Sequence, residues 1–248
     1  MILLFDVGNT NISFGVSDGF KILDTYRLNT IVSKTADEYY IQMKNVVDFS
    51  LIKQVAISSV VPRITEKLVE ISKHYLNINP LVIEPGIKTG INIKTDHPRE
   101  IGADLICGAA GIVDHQKPTL IVDLGTAIKY IYVKDKTITG VIITPGVSIS
   151  IKALVSNTAL LPDIDIVVPK KVLGTNTVHC MQSGVTYGVA AQVDGLIDRI
   201  YDETKESFNI LLTGGLSSTI APLCKHPLER DPDLVLKGLY QIFVKNHL

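Results

Sequence analysis

The chain carries the same short pattern twice, once at its start and once near its middle. Residues 2–10 are an apolar run that ends in Asp6, one further residue and a glycine, and residues 120–127 repeat that outline around Asp123. In both copies the residues that follow alternate between apolar and polar types until a turn, which predicts a second and a third strand. The sequence therefore predicts two halves that each open with an antiparallel three-stranded meander.

The remainder of each half predicts alternating helices and strands. Thr35 and Glu38 form a capping box ahead of apolar residues at helical spacing, which predicts the start of the first helix. A strand, a second helix and a short strand are then predicted at residues 54–60, 63–76 and 81–83. The second half repeats this plan with a longer helical part, which includes a helix over residues 178–202. Each half is thus predicted to follow the order β-β-β-α-β-α-β.

Two α/β halves of this kind form the ribonuclease-H-like architecture of the actin-like (ASKHA) ATPases, in which the halves face each other across a nucleotide-binding cleft. The sequence predicts that fold. An N-terminal half is expected over residues 1–116 and a C-terminal half over residues 117–248, with the junction near residues 115–118.

Composition and charge argue against several classes of protein. The chain has 24 Lys and Arg against 25 Asp and Glu, with the two signs interspersed, so no basic surface for nucleic acid or an anionic membrane is expected. No apolar stretch approaches the roughly 18 residues of a membrane span. The expected partners are therefore small molecules and other subunits, with no nucleic acid and no membrane.

The three cysteines indicate a reducing compartment. Cys107, Cys180 and Cys224 are widely spaced and odd in number, which argues against a disulfide framework and against a structural zinc site. A cytoplasmic protein fits this usage best. Cys107 and Cys180 lie among small and apolar residues, so both thiols are predicted to be buried and unreactive.

The loop that follows the first strand has the residue types of a phosphate-binding turn. Its glycine lets the backbone approach an anion, the amides of the turn can donate to phosphate oxygens, and Asn9, Thr10 and Asn11 add side-chain donors. Asp6 would hold the Mg²⁺ that offsets the charge of the ATP triphosphate. The alternative is a tight turn in which Asp6 caps its own backbone, and the second copy at Asp123 favours the phosphate site.

Gly214 and Gly215 lie between a predicted strand and a predicted helix. Such a turn can lie flat against an adenine ring or a ribose, although paired glycines after a strand are also common in plain turns. The position in the second half is where an actin-like fold places its adenosine site.

Asp104 begins a predicted helix directly after Gly102 and Ala103. As a general base, it would take the proton of an alcohol acceptor while the γ-phosphoryl group of ATP departs. The alternative is that Asp104 is only a favourable charge at a helix N-terminus.

The order of these motifs resembles the type III pantothenate kinases, which phosphorylate pantothenate in the first step of coenzyme A synthesis. The resemblance covers nearly the whole chain and also includes residues 92–104, 140–146, 174–177 and 231–239. It implies ATP, Mg²⁺ and a monovalent cation, K⁺ or NH₄⁺, as cofactors. It also implies a homodimer in which the second subunit completes the acceptor pocket.

The resemblance also implies site residues by position. The residues implied to line the ATP phosphates are Asp6, Val7, Gly8, Asn9, Thr10, Asn11, Ile12 and Ser13. Thr126 would contact ATP, as would Gly214 and Gly215, and Asp123 would help to hold the monovalent cation. Asp104 would be the proton acceptor. The acceptor pocket would be lined by the positions Thr95, Gly102, Ala103, Asp104, Leu105 and Thr177.

The sequence departs from the family pattern mainly on the acceptor side. The family's Arg directly after the catalytic Asp, which can bind a substrate carboxylate through two hydrogen bonds, is Leu105 here. A family Tyr is replaced by Thr95, and a Thr-Thr pair is replaced by Ile128 and Lys129. Lys129 or Lys94 could supply the missing positive charge.

Three hypotheses are compatible with this pattern. The first is a pantothenate kinase with an altered acceptor pocket, and the second is a kinase of the same fold that phosphorylates a different alcohol. The third is a non-catalytic nucleotide-binding regulatory relative, which would have no reason to keep Asp104.

Overall fold

The computed structural model describes residues 1–114 and 116–247, and these residues form two compact units. Unit 1 contains residues 1–114, 136–138 and 233–247, and unit 2 contains residues 116–135 and 139–232. The junction that the sequence predicts at residues 115–118 includes His115, which lies outside the described residues. The division at residue 116 stays a prediction.

The strands and helices follow the predicted alternation. The strands are β1 Ile2–Val7, β2 Asn11–Ser17, β3 Ile22–Asn29, β4 Gln54–Ser59, β5 Leu81–Val82, β6 Asn92–Ile93, β7 Thr119–Leu124, β8 Ala127–Lys134, β9 Thr137–Pro145, β10 Asn209–Thr213 and β11 Glu229–Arg230. The helices are α1 Ala36–Lys44, α2 Pro62–His74, α3 Ala103–Ala110, α4 Val147–Asn157, α5 Thr177–Thr204, α6 Ser217–Ile220 and α7 Leu234–His247.

The sheet of unit 1 has the strand order β3-β2-β1-β4-β5. It is mixed, because β1 is antiparallel to β2 and parallel to β4. Successive side chains of a strand point to opposite faces, so Leu3 and Phe5 pack with α1 and α2, whereas Leu4 packs with α3 and α7. Helices therefore cover both faces of β1, which explains why this strand is an almost continuous apolar run.

The helices α3 and α7 of unit 1 are in direct backbone contact. A Cβ atom on Gly238 of α7 would overlap the carbonyl oxygen of Cys107 in α3, and a Cβ atom on Gly111 would overlap the carbonyl oxygen of Leu234. This packing explains why α7 belongs to unit 1, although the sequence predicted that residues 117–248 would form the C-terminal half.

Unit 2 contains a second mixed sheet, in which five of its strands have the order β11-β10-β7-β8-β9. β7 is antiparallel to β8 and parallel to β10. Leu120, Val122 and Leu124 of β7 pack against Ala190 and Val193 of the long helix α5. The parallel pairing of β7 and β10 places the carboxyl ends of these two strands next to each other.

Most local predictions are confirmed. Thr35 and Glu38 form the predicted capping box at the start of α1, and the long helix expected over residues 178–202 is α5. The prediction for Cys180 is wrong, because this residue lies exposed in the first turn of α5, whereas Cys107 is buried as predicted. No helix in the described part of the chain is long and apolar enough to cross a membrane.

Candidate active site

Asp6 lies at the carboxyl end of β1, between β2 and β4. Its neighbours in the sheet are Ser13 on β2 and Ser58 on β4. The hydroxyl of Ser58, which is fully buried, donates a hydrogen bond of 3.4 Å to Oδ1 of Asp6. Sequence reasoning missed Ser58. The pair of serines at the end of β4 was a usable signal, because polar residues at the end of a strand beside β1 lie next to Asp6.

The loop after Asp6 is closed by its own hydrogen bonds. The Gly8 amide donates to the Asn11 carbonyl at 2.9 Å, so this amide is already engaged within the turn. The hydroxyl of Thr30 donates to the Gly8 carbonyl at 2.7 Å and holds the loop against the end of β3. Asn9 and Thr10 are exposed at the tip. The predicted phosphate donors are therefore presented by a turn with a fixed shape.

Not every residue of the predicted phosphate loop can contact a ligand through its side chain. Val7 and Ile12 are fully buried in the apolar core of unit 1, so only their backbone groups can face a nucleotide. Asn11 and Ser13 are half-buried at the start of β2. The side chains of Asn11 and Ser13 are therefore candidates for contact with a ligand, whereas those of Val7 and Ile12 belong to the core.

Asp104 lies in the first turn of α3, and Gly102 occupies the N-cap position. The Leu105 amide donates to Oδ1 of Asp104 at 3.0 Å, which orients the carboxylate. The same oxygen lies 2.5 Å from the point where a Cβ atom of residue 102 would be, so a larger residue there would displace the carboxylate. The glycine of the Gly102-Ala103-Asp104 triplet therefore makes room for the carboxylate.

Asp6 and Asp104, which are far apart in the sequence, both lie near the thiol of Cys107. Burial raises the pKa of Cys107, and the negative charges of Asp6 and Asp104 raise it further, whereas a hydrogen bond with Ser58 lowers it. One turn of α3 separates Cys107 from Asp104. Unit 1 therefore brings two of the predicted site carboxylates to one buried cysteine, which sequence reasoning had treated only as a core residue.

Among the predicted acceptor residues of unit 1, Leu105 is apolar and the Thr95 hydroxyl lacks a partner in the described part of the chain. Leu105 is only 6% exposed, and its buried apolar side chain has no group that could donate a hydrogen bond to a substrate carboxylate. The hydroxyl of Thr95 is buried and has no hydrogen-bond partner among the described residues. Because a buried polar atom is normally paired, this hydroxyl is a candidate donor to a bound molecule. Lys94 is exposed.

In unit 2, Asp123 forms an ion pair with Lys129. The Lys129 Nζ to Asp123 Oδ2 distance is 2.8 Å, and the side chains are only 18% and 17% exposed. The two residues lie directly opposite each other in the antiparallel β7–β8 pair. The resemblance assigns this carboxylate to K⁺ or NH₄⁺. The residues present do not fit such an ion, because the lysine ammonium already lies on the carboxylate.

The other predicted nucleotide residues of unit 2 lie around the same end of β7. Gly214 has a φ of +87°, and a Cβ atom there would lie 2.6 Å from Oδ1 of Asp123. The Thr126 carbonyl accepts a hydrogen bond of 3.1 Å from the Gly146 amide, next to the start of α4. Gly215 is exposed beside Gly214. Unit 2 therefore brings Asp123, Thr126 and Gly214 to one sheet end.

Thr177 is the first residue of α5 and is exposed. Asn176 caps this helix by accepting a hydrogen bond of 2.9 Å from the His179 amide. Thr177 belongs to unit 2, whereas Thr95, Gly102, Ala103 and Leu105 belong to unit 1. The roles that the resemblance gives these residues stay predictions.

Comparison with known proteins decides the family. The sequence model of the family described as type III pantothenate kinase matches residues 2–199. The chain belongs to this family. A type III pantothenate kinase from Acholeplasma laidlawii is 53% identical over 246 residues, which cover 99% of each chain. A type III pantothenate kinase from Bacillus cytotoxicus is 44% identical over 253 residues, which cover 99% of this chain and 97% of that protein.

Solved structures support the fold of this type III pantothenate kinase family member. A Campylobacter jejuni protein assigned to the Baf family of transcriptional activators superposes with a TM-score of 0.63 at 20% identity, covering 99% of this chain and 98% of that one. An inorganic polyphosphate/ATP-glucomannokinase from Arthrobacter sp. strain KM gives a TM-score of 0.50 at 14% identity, covering 98% of each chain. At these identities the likeness concerns the fold alone. The predicted family and the predicted actin-like fold class are both confirmed.

Proposed function

We propose that this protein transfers the γ-phosphoryl group of ATP to the 4′-hydroxyl of pantothenate, the first step of coenzyme A synthesis. Two relatives that bear the name type III pantothenate kinase match this chain over nearly its whole length, at 53% and 44% identity. The observation within the chain that carries the proposal is that unit 1 holds two oriented carboxylates, Asp6 bonded by the Ser58 hydroxyl at 3.4 Å and Asp104 bonded by the Leu105 amide at 3.0 Å. Asp6 is the proposed position for the Mg²⁺ of ATP, and Asp104 is the proposed proton acceptor.

Asp104 acts as the general base in this proposal. Its carboxylate takes the proton of the pantothenate hydroxyl, whose oxygen then forms a bond to the γ-phosphorus of ATP. The bond from that phosphorus to the bridging oxygen breaks, and ADP leaves with the electron pair. The Leu105 amide, which donates to Oδ1 at 3.0 Å, holds the carboxylate in one orientation for this step.

Asp6 is the proposed position for Mg²⁺. Its carboxylate lies at the end of β1 and is held by the Ser58 hydroxyl of β4. The exposed Asn9 and Thr10 follow in the loop, and the side-chain oxygen atoms of these residues are of the hard type that Mg²⁺ prefers. When bound, Mg²⁺ neutralises charge on the β- and γ-phosphates. In the described residues no three His, Cys, Asp or Glu side chains converge on one metal position. This fits a metal that takes most of its ligands from phosphate and water.

The test is an assay of ADP release with Mg²⁺ and ATP, with and without pantothenate. We expect pantothenate-dependent turnover, and we expect Asp104→Asn to lower kcat by about 10²- to 10⁴-fold because the base is lost. Asp96→Asn, which changes an exposed carboxylate of the preceding loop, is the matched control and should leave kcat unchanged. ATP binding without any response to pantothenate would contradict the proposal.

A second candidate function is phosphorylation of a different alcohol. The apolar Leu105 favours it, because the family's arginine at this position could bind a substrate carboxylate and leucine cannot. Comparison of kcat/KM for pantothenate and for its alcohol analogue, which lacks the carboxylate, separates the two. A clear preference for the neutral analogue would support the second candidate.

We also propose a cytoplasmic homodimer. The support is a set of exposed apolar side chains on α4 and the segment that follows it, which a second subunit could cover. They are Leu154, Leu160, Val167, Val172 and Leu173. Leu160 and Leu173 are 89% and 85% exposed, and a second subunit that covered them would remove this apolar surface from water. Light scattering on the purified protein tests this, and Leu160→Glu should shift the mass towards a monomer. A wild-type monomer would contradict the dimer.

A further inference from the structure

Lys129 places a fixed positive charge at the carboxylate that the family resemblance assigns to a monovalent cation. Its Nζ lies 2.8 Å from Oδ2 of Asp123, and both side chains are more than four-fifths buried. A paired lysine at this degree of burial is held much more firmly than a surface lysine. The carboxylate of Asp123 is therefore already paired with a positively charged side chain.

The backbone keeps this pair in register. Asp123 and Lys129 are directly opposite on β7 and β8, and Leu124 is opposite Ile128, so only a tight turn separates the strands. On its other side, β7 pairs with β10, where Thr213 is opposite Asp123. The backbones of both residues are therefore held in place by central pairings of the sheet.

Two glycines lie close to the other carboxylate oxygen of Asp123. A Cβ atom on Gly214 would lie 2.6 Å from Oδ1, and a Cβ atom on Gly125 would lie 3.4 Å from it. A monovalent ion at Asp123 would have to share this carboxylate with the Lys129 ammonium. Two positive charges on one carboxylate in a partly buried position repel each other strongly.

We propose that Lys129 replaces the monovalent cation in this protein, so that the kinase reaction proceeds without added K⁺ or NH₄⁺. The ammonium supplies one positive charge at the nucleotide end of unit 2, beside Thr126 and Gly214. This inference rests on the proposed function. It concerns Lys129 at a position where the family has threonine, which the sequence suggested only as a possible replacement for the missing acceptor-side charge.

The first test requires no variant. Turnover of the wild-type protein with Mg²⁺, ATP and pantothenate is compared in potassium chloride, ammonium chloride and tetramethylammonium chloride at one ionic strength. We expect rates that agree within about twofold, since ionic strength rather than ion identity acts on the remaining charges. A rate that rises several-fold with K⁺ or NH₄⁺ would overturn the proposal.

The second test uses Lys129→Thr, which restores the family's residue. We expect about a tenfold or greater loss of turnover in tetramethylammonium chloride, because Asp123 and the bound nucleotide lose their counter-charge. Potassium should restore most of that loss. Lys134→Thr is the matched control, since Lys134 lies on the same strand and pairs with Glu206 at 2.5 Å, yet it should create no cation dependence. Lys129→Thr that is fully active without K⁺ would overturn the proposal.

A binding readout separates this proposal from the proposed function. In the presence of ATP, K⁺ should raise the melting temperature of Lys129→Thr but not that of the wild-type protein or of Lys129→Arg. This shift tests the cation position even if pantothenate proves not to be the acceptor. Equal stabilisation of the wild type and Lys129→Thr by K⁺ would overturn it. Should Lys129→Thr fail to fold, the wild-type salt comparison alone still decides.

Discussion

The hydroxyl of Ser58 donates to the carboxylate of Asp6 across the parallel β1–β4 pair, at a distance of 3.4 Å. Ser58 is fully buried, so this hydrogen bond is shielded from solvent. This link makes Ser58 a positioning residue for Asp6. Its loss should affect nucleotide binding through the orientation of that carboxylate.

We expect Ser58→Ala to weaken the binding of Mg²⁺ and ATP several-fold. The free energy of unfolding should fall by only about 1 kcal/mol, which is typical of one intramolecular hydrogen bond. Isothermal titration calorimetry measures the affinity, and urea unfolding measures the stability. Ser59→Ala is the control, because within the described residues the Ser59 hydroxyl forms hydrogen bonds only with the backbone of Val61. Equal losses of affinity in both variants would contradict the positioning role.

We expect Leu105→Arg to destabilise the protein and not to improve pantothenate binding. Leu105 is 6% exposed, and a buried unpaired guanidinium costs several kcal/mol. Leu105→Met conserves the volume and should cost less than about 1.5 kcal/mol. Urea unfolding of both variants measures the difference. A stable Leu105→Arg protein with a lower KM for pantothenate would show that this position faces the acceptor pocket.

We expect Gly238→Ala to destabilise unit 1. The new Cβ atom would overlap the Cys107 carbonyl oxygen, so α7 would have to move away from α3, at a cost of about 1–3 kcal/mol or more. Gly188→Ala is the matched control in α5, where no atom lies within 4 Å of the new Cβ. The control should stabilise the protein by about 0.5–1 kcal/mol, because alanine favours the helix. Thermal unfolding measures both effects. A change in melting temperature in the same direction for both variants would contradict the close packing of α7 on α3.

We expect the cysteines to differ in reactivity and in pH dependence. Burial raises the pKa of Cys107, so its thiol stays protonated and should resist alkylation in the native state, whereas the exposed Cys180 should react. In the unfolded chain a thiol titrates near its ordinary value of about 9. Because the folded pKa is the higher one, the contribution of Cys107 to stability is present below that pH and is lost as the pH rises above it.

Mass spectrometry of alkylated peptides checks the first part, and unfolding at several alkaline pH values checks the second. Cys107→Ala should lose part of the alkaline destabilisation, whereas Cys180→Ala should not. Rapid native alkylation of Cys107 would contradict its burial.

Local structure was predictable from the sequence because its causes are local. The capping box at Thr35 and Glu38 and the apolar periodicity of α5 each depend on residues within a few turns. The Asp123–Lys129 pair was also accessible, since a tight β7–β8 hairpin places these residues opposite each other.

Other features depend on contacts that local patterns do not record. The bond between Ser58 and Asp6 requires that β4 be parallel to β1 in one register. The exposure of Cys180 depends on which side of the first turn of α5 meets solvent. The packing of α7 on α3 follows from two glycines that are distant in the sequence, so periodicity alone could not place α7 in unit 1.

The contact between α3 and α7 has a consequence for the newly made chain. α7 follows every residue of unit 2 in the sequence, so the ribosome synthesises all of unit 2 before the helix that covers α3. Until then the glycine-containing surface of α3 lacks its cover, and the helix that carries Asp104 lacks its support. We therefore expect each nascent chain to complete unit 2 first and to gain the ability to transfer phosphate only after α7 has emerged.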